Sequence, residues 1–171
     1  MRTKKRLLSI FRGKILTMLA YRRLVFLGFS LFILALLCSG CGLFRGRSDI
    51  GMDVAKTAHK YLGTPYKSGG RSPKGFDCSG LVWFVYKQYG VKLPVSSSDQ
   101  SEAGFKVSKK KMQPGDLIFF KTKGRIHHVG IYVGGGKMIH APGLGKKVVK
   151  VSLDNNYYVK HFAMARRISK P

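Results

Sequence analysis

Read from its amino end, the chain passes from a basic stretch into an uncharged block, and then into segments with two distinct hydrophobic periods. From Asp49 to Leu62 the apolar positions Val54, Ala55, Ala58, Tyr61 and Leu62 recur at helical spacing, and Gly63 is placed to stop that helix. Gly63-Thr64-Pro65-Tyr66 through Ser72-Pro73 reads as a loop. A second helix runs from Cys78 to about Tyr89, with Leu81, Val82, Val85 and Tyr89 on the face of Cys78 and Gly90 as its left-handed stop. Asp77 precedes it as the residue type whose carboxylate caps free N–H groups. After Pro94, Ser96 caps a third, short helix. Lys109-Lys110-Lys111 reads as a solvated loop. Beyond the turn Gln113-Pro114-Gly115-Asp116 the period changes to that of strands. Leu117 to Phe120 suits a buried strand, and His128 to Val133, Gly134-Gly135-Gly136 and Met138 to His140 read as a hairpin. Val148 to Val151 and Phe162 to Ile168 are further strands. Helices first and strands afterwards predict an α+β fold, with the Cys78 helix packed on an antiparallel sheet.

This pattern puts a thiol on the first turn of a helix, where free N–H groups and the helix dipole favour an anion and are expected to lower the cysteine pKa. A thiol nucleophile needs a base within hydrogen-bond reach and a third group to orient that base. The histidines available are His59, His127, His128, His140 and His161. His59 and His161 read as surface or structural residues. In the hairpin, a three-residue glycine loop would pair Val133 with Lys137 and place His128 and His140 on one face, about 7 Å apart across a diagonal. Gly130 between them would leave room for a helix end. A two-residue loop would slip the register by one and put His127 on that face instead. The period alone leaves both open.

Charge and cysteine usage change where this chemistry would operate. The first 23 residues carry eight Lys and Arg and no acid, and Leu24 to Leu37 is a 14-residue uncharged run. This is the order of an export signal. Ser39 and Gly40 before Cys41 resemble the lipobox of bacterial lipoproteins, which implies cleavage before a diacylated Cys41. The uncharged run continues to Phe44, 21 residues in all, so an uncleaved membrane span is the alternative. Met18 is a second candidate start. The lipoprotein reading divides the chain into a leader over 1–41, a Gly/Arg tether over 42–48 and a single domain over 49–171, and either reading places residues after about 45 outside the cytoplasmic membrane, facing the periplasm. Gly42 after the lipid cysteine resembles outer-membrane lipoproteins. Cys78 is then alone in an oxidising compartment, which favours a reactive role. The formal charge of +25 becomes +17 after Cys41 cleavage, with 24 Lys and Arg against 7 acids. The cations are scattered rather than interleaved with aromatics, which argues against nucleic acid and leaves anionic lipid, the carboxylates of wall peptides, or simply a solvated basic surface.

The motifs Gly63-Thr64-Pro65-Tyr66 with Gly69-Gly70, Phe76-Asp77-Cys78-Ser79-Gly80-Leu81-Val82, Pro114-Gly115-Asp116-Leu117, His128-Val129-Gly130-Ile131-Tyr132 and Ile139-His140-Ala141 resemble, in this order over about residues 50–168, the NlpC-type cell-wall cysteine peptidases. The resemblance implies a papain-like α+β fold and hydrolysis of amide bonds in murein stem peptides. It implies Cys78 as nucleophile, His128 as base and His140 as the third polar residue. It also implies Tyr66 at the oxyanion or substrate, and Asp77 and Ser79 against the polar end of the stem peptide. It calls for no cofactor or metal, a monomer, and peptidoglycan and membrane as partners. The rivals are a zinc site on Cys78, His128 and His140, an acyltransferase on the same core, and a catalytically silent wall-binding lipoprotein.

Overall fold

The computed structural model describes residues 50–169. The leader, Cys41 and the tether over 42–48 lie outside the described residues. Helix α1 spans Gly51–His59 and α2 spans Cys78–Lys87. Both are shorter than the apolar period suggested, for one physical reason. Each finishes in a tighter turn of i to i−3 bonds (Lys60 N–H to Thr57, Gln88 N–H to Val85) before a left-handed glycine, Gly63 at φ +84 and Gly90 at φ +78. The expected stops therefore stand, and the last turns belong to the caps.

Strands β1 (Arg71–Ser72) and β2 (Gly75–Phe76) form a small hairpin that delivers the chain to Asp77. Helix α3, Ser97–Gln100, is capped by Ser96 as expected. Strand β3 (Phe105–Val107) follows, and Lys109–Lys111 is an exposed single 3-10 turn. The rest is β4 (Leu117–Thr122), β5 (Arg125–Gly134), β6 (Lys137–His140), β7 (Val149–Ser152), helix α4 (Asn156–His161) and β8 (Phe162–Arg167). They build one six-stranded sheet in the order β3-β8-β4-β5-β6-β7, with every pairing antiparallel. Strand β3 and helix α4 carry no pattern that distinguishes them from loop. They are set by pairing with β8 and by packing over Phe120.

The sheet has an apolar layer on each face. Leu81, Val82, Val85 and Tyr86 of α2 and Val54 and Ala58 of α1 pack with Leu117, Phe119, Val129, Ile131 and Ile139. Ile118, Phe120, Met138 and Leu153 form a second cluster, against which Tyr158 and Phe162 pack. Two polar ties fix the frame beneath the site. The Tyr86 hydroxyl donates to the Gly115 carbonyl at 2.6 Å, and the buried Asp116 accepts from Arg167 Nε at 2.7 Å and Nη2 at 2.9 Å.

Candidate active site

The position of Cys78 is built by a cap. Asp77 is extended, and its Oδ1 accepts from Gly80 N–H at 2.6 Å and from the Ser79 hydroxyl at 3.2 Å, while Oδ2 accepts from Gly69 N–H at 2.9 Å. One carboxylate thus starts α2 and ties it to the 69–70 loop. Gly80 is required by space: a Cβ there would lie 2.0 Å from the Gly70 carbonyl oxygen. Cys78 lands at the mouth of a cleft of about 450 Å³ that is also lined by Tyr66, His128 and His140. The backbone N–H of Val129, the residue after His128, faces its sulfur. Tyr66 is held at the rim because its N–H donates to the Lys146 carbonyl at 2.9 Å, beside the Gly63 to Val148 and Val148 to Thr64 bonds.

The hairpin settles which histidine faces the cleft in an unexpected way. Its tight loop has two residues, Gly135 and Gly136, with Gly134 paired to Lys137, the condition that would have brought His127 inward. A bulge between Tyr132 and Gly134 adds Val133 as an extra residue and cancels that slip. Tyr132 then pairs with Met138 and Ile131 with Ile139, the register in which His128 and His140 share a face. Their rings meet: His128 Nε2 and His140 Nδ1 are 2.6 Å apart, and the planes stand 83° to one another. The space beside Gly130 is filled by Met138 and His140 rather than by a helix end, since a Cβ there would meet Met138 Sδ at 2.8 Å and His140 Cβ at 3.3 Å. His127 is exposed at the outer rim of the cleft, its Nε2 3.1 Å from Thr122 Oγ1. His59 and His161 bond backbone carbonyls of their own helices, Ala55 and Tyr157. Asp77 and Ser79 adjoin Cys78 in sequence but do not line this cleft, and Ser79 is 8% exposed.

Electrostatics differ from the expectation of a lowered thiol pKa. Burial pushes the Cys78 thiol above its ordinary value, and the Asp77 charge adds to this. The N–H groups of Val129, Ser79 and Cys78 itself pull it down by less. Burial, with the nearby His127 charge, lowers His128 to about 4. Burial, followed by His128 and Lys146, lowers His140 to about 3. Burial thus favours the uncharged form of all three side chains. Burial and the Cys78 and Asp77 charges raise the Tyr66 hydroxyl, which keeps it a donor.

Four side chains that line the cleft carried no signal in the sequence. Tyr158, on α4, has its hydroxyl 3.1 Å from His140 Nε2. Lys146 lines the cleft from the 142–147 loop, as do Asn155 and Tyr157 beside it. Their place depends on a loop and a short helix folding back over β6, which no local pattern announces. As a metal set, Cys78, His128 and His140 are ill-arranged, because two imidazole nitrogens 2.6 Å apart are bonded to each other and leave no room for an ion between them.

The family model described as "NlpC/P60 family" matches residues 63–167. The chain is similar to the gamma-D-glutamyl-L-lysine dipeptidyl-peptidase of Bacillus subtilis (strain 168), 44% identical over 118 residues, covering 67% of this chain and 40% of the relative. It is also similar to the murein DD-endopeptidase MepH of Escherichia coli (strain K12), 39% identical over 116 residues, covering 64% of this chain and 43% of the relative. Among solved structures, it superposes with TM-score 0.67 on a crystal structure of an NlpC/P60 family protein from Bacillus cereus ATCC 10987, 41% identical, covering 69% of this chain and 40% of that one. The chain thus spans about two fifths of the length of these relatives. The papain-like α+β arrangement expected from the motifs is the one it has.

Proposed function

Because the chain belongs to the NlpC/P60 family, we propose that it is a cysteine peptidase hydrolysing an amide bond in the murein stem peptide or peptide cross-link. The observation that carries this reading is the convergence of Cys78, His128 and His140 on one cleft, with the two imidazoles hydrogen-bonded at 2.6 Å. Since His128 uses Nε2 for His140, its Nδ1 is the nitrogen left for the thiol. As Sγ attacks the scissile carbonyl carbon, the C–S bond forms and the thiol proton passes to His128 Nδ1. The carbonyl oxygen becomes an oxyanion, met by the backbone N–H of Cys78 and the Tyr66 hydroxyl. His128 then gives its proton to the amine as the C–N bond breaks. Water, deprotonated by His128, opens the thioester and the proton returns to sulfur. Contact of Asp77 and Ser79 with the polar end of the stem peptide belongs to the same proposal; adjacency to Cys78 in sequence supports it, while the burial of Ser79 and its bond to Asp77 weigh against a direct contact by Ser79.

The relatives named above cut different bonds by their names, one after D-glutamate and one in a DD linkage. Mass spectrometry of purified murein treated with the protein identifies the bond. We expect soluble peptides from the wild type and none from Cys78→Ala. Equal release by both proteins, or none by either, refutes the reading. We further propose that residues 1–41 export the chain and that Cys41 carries the lipid anchoring a monomeric domain, facing the periplasm from the outer membrane. The leader pattern and the residues around Cys41 support this placement.

A further inference from the structure

The histidine pair is one link of a longer chain of contacts. His128 Nε2 meets His140 Nδ1 at 2.6 Å, and His140 Nε2 meets the Tyr158 hydroxyl at 3.1 Å. Both His140 nitrogens are therefore engaged, and its ring is 2% exposed, so its protons have no water-filled alternative. With His140 held neutral, one nitrogen carries a proton and the other accepts. Only two directions are then open to the whole chain. In one, Tyr158 donates to His140 Nε2, His140 Nδ1–H donates to His128 Nε2, and His128 carries its remaining proton on Nδ1, facing the thiol. That arrangement blocks the base. In the other, His128 Nε2–H donates to His140 Nδ1, His140 Nε2–H donates to the Tyr158 oxygen, and His128 Nδ1 is a free acceptor.

We propose that Tyr158 is a positioning residue: by accepting from His140 Nε2–H it selects the tautomer pair that leaves His128 Nδ1 open to the Cys78 proton. This inference rests on the proposed Cys78–His128 chemistry. Tyr158 is built to accept in this way. Its ring is clamped edge-on to His140, with centroids 5.6 Å apart at 90°, and against Phe120 at 5.3 Å, so the oxygen is fixed in place. The residue is half-buried and lines the cleft, so its own O–H can turn to solvent and need not point at His140. Burial also raises its hydroxyl, so it acts as a neutral acceptor and adds no charge to the site. The short helix α4, capped by the Asn155 side chain on Tyr157 N–H at 2.9 Å, delivers it immediately before β8.

The test is long-range proton–nitrogen correlation NMR of the histidine rings in the full-length, nitrogen-15-labelled protein in detergent, alongside kinetics of Tyr158→Phe. We expect wild-type His140 protonated on Nε2 and bare on Nδ1. In Tyr158→Phe, which keeps the ring and loses the acceptor, we expect a mixture of both tautomers. Turnover should fall about five- to tenfold, the scale of one lost hydrogen bond, with KM unchanged. Wild-type His140 protonated on Nδ1 overturns the proposal, whatever the variant does. So does Tyr158→Phe with unchanged tautomers and turnover. The expected tautomers in a wild type that releases no murein peptide would support the wiring and refute the reaction, so the two readings fail separately.

Discussion

At the scale of single residues, the site is defined by groups kept neutral through burial. The Cys78 thiol is pushed up, while His128 and His140 are pushed down to about 4 and about 3. The same shifts make a stability prediction whose sign follows from linkage. In the unfolded chain both histidines take up protons as the pH falls through about 6.5. In the fold they stay neutral until about 4 and below. Their contribution is therefore fully present above pH 6.5 and is lost as the pH falls toward 4. Near pH 5 the unfolded state holds nearly two more protons, a slope of roughly 2.5 kcal/mol per pH unit from this pair. Urea midpoints between pH 7 and pH 4.5 should fall steeply, and a His128→Asn, His140→Asn double variant should flatten that dependence. An equally steep fall in the double variant would show that other groups carry the acid sensitivity.

At the scale of elements, what was legible in the sequence was what is decided locally. Asp77 as cap, Gly63 and Gly90 as stops, Ser96 as the third cap and the buried run from Leu117 to Phe120 each depend on neighbours a few residues away, and each stands in the structure. The choice between His127 and His128 was not legible from the period, because it turns on a bulge at Val133 that compensates a two-residue loop. The family motif points to His128, the histidine that the observed register places against His140. Tyr158 and the sign of the Cys78 shift were illegible because burial and the fold-back of α4 are properties of the assembled sheet. Close packing between elements gives the next prediction. Gly80→Ala should gain up to about 1 kcal/mol of helix propensity. Its Cβ, however, meets the Gly70 carbonyl at 2.0 Å, and backbone on both sides must move. Overpacking of about 1–3 kcal/mol should win. Gly130→Ala, opposed at 2.8 Å by the movable end of Met138, should cost less. Urea denaturation of both variants ranks them, and a Gly80→Ala protein as stable as wild type would refute the close approach of α2 to the Gly70 carbonyl.

At the scale of the whole molecule, charge and anchor make separable demands. With 24 Lys and Arg against 7 acids from Cys41 onward, at least 17 cations have no acid of their own. Two acids tie separate segments together, Glu102 through Arg166 and Asp116 through Arg167. Among the described residues every lysine is exposed, so any pull on the carboxylates of the proposed murein substrate would act through solvent and be screened by salt. The screening length shrinks from about 8 Å at physiological ionic strength to about 3 Å at 1 M. A lipid on Cys41 would hold by burial of acyl chains, which salt does not weaken. The full-length protein should therefore stay with membranes through a 1 M salt wash and leave only with detergent. Cys41→Ser, if export still proceeds, should lose the lipid but still pellet with purified murein at low salt and release from it at high salt. Membrane retention of Cys41→Ser would replace the lipid by an uncleaved span over residues 24–44. Murein pelleting that ignores salt would mean that the cleft and its neighbours, rather than the cationic surface, hold the wall polymer.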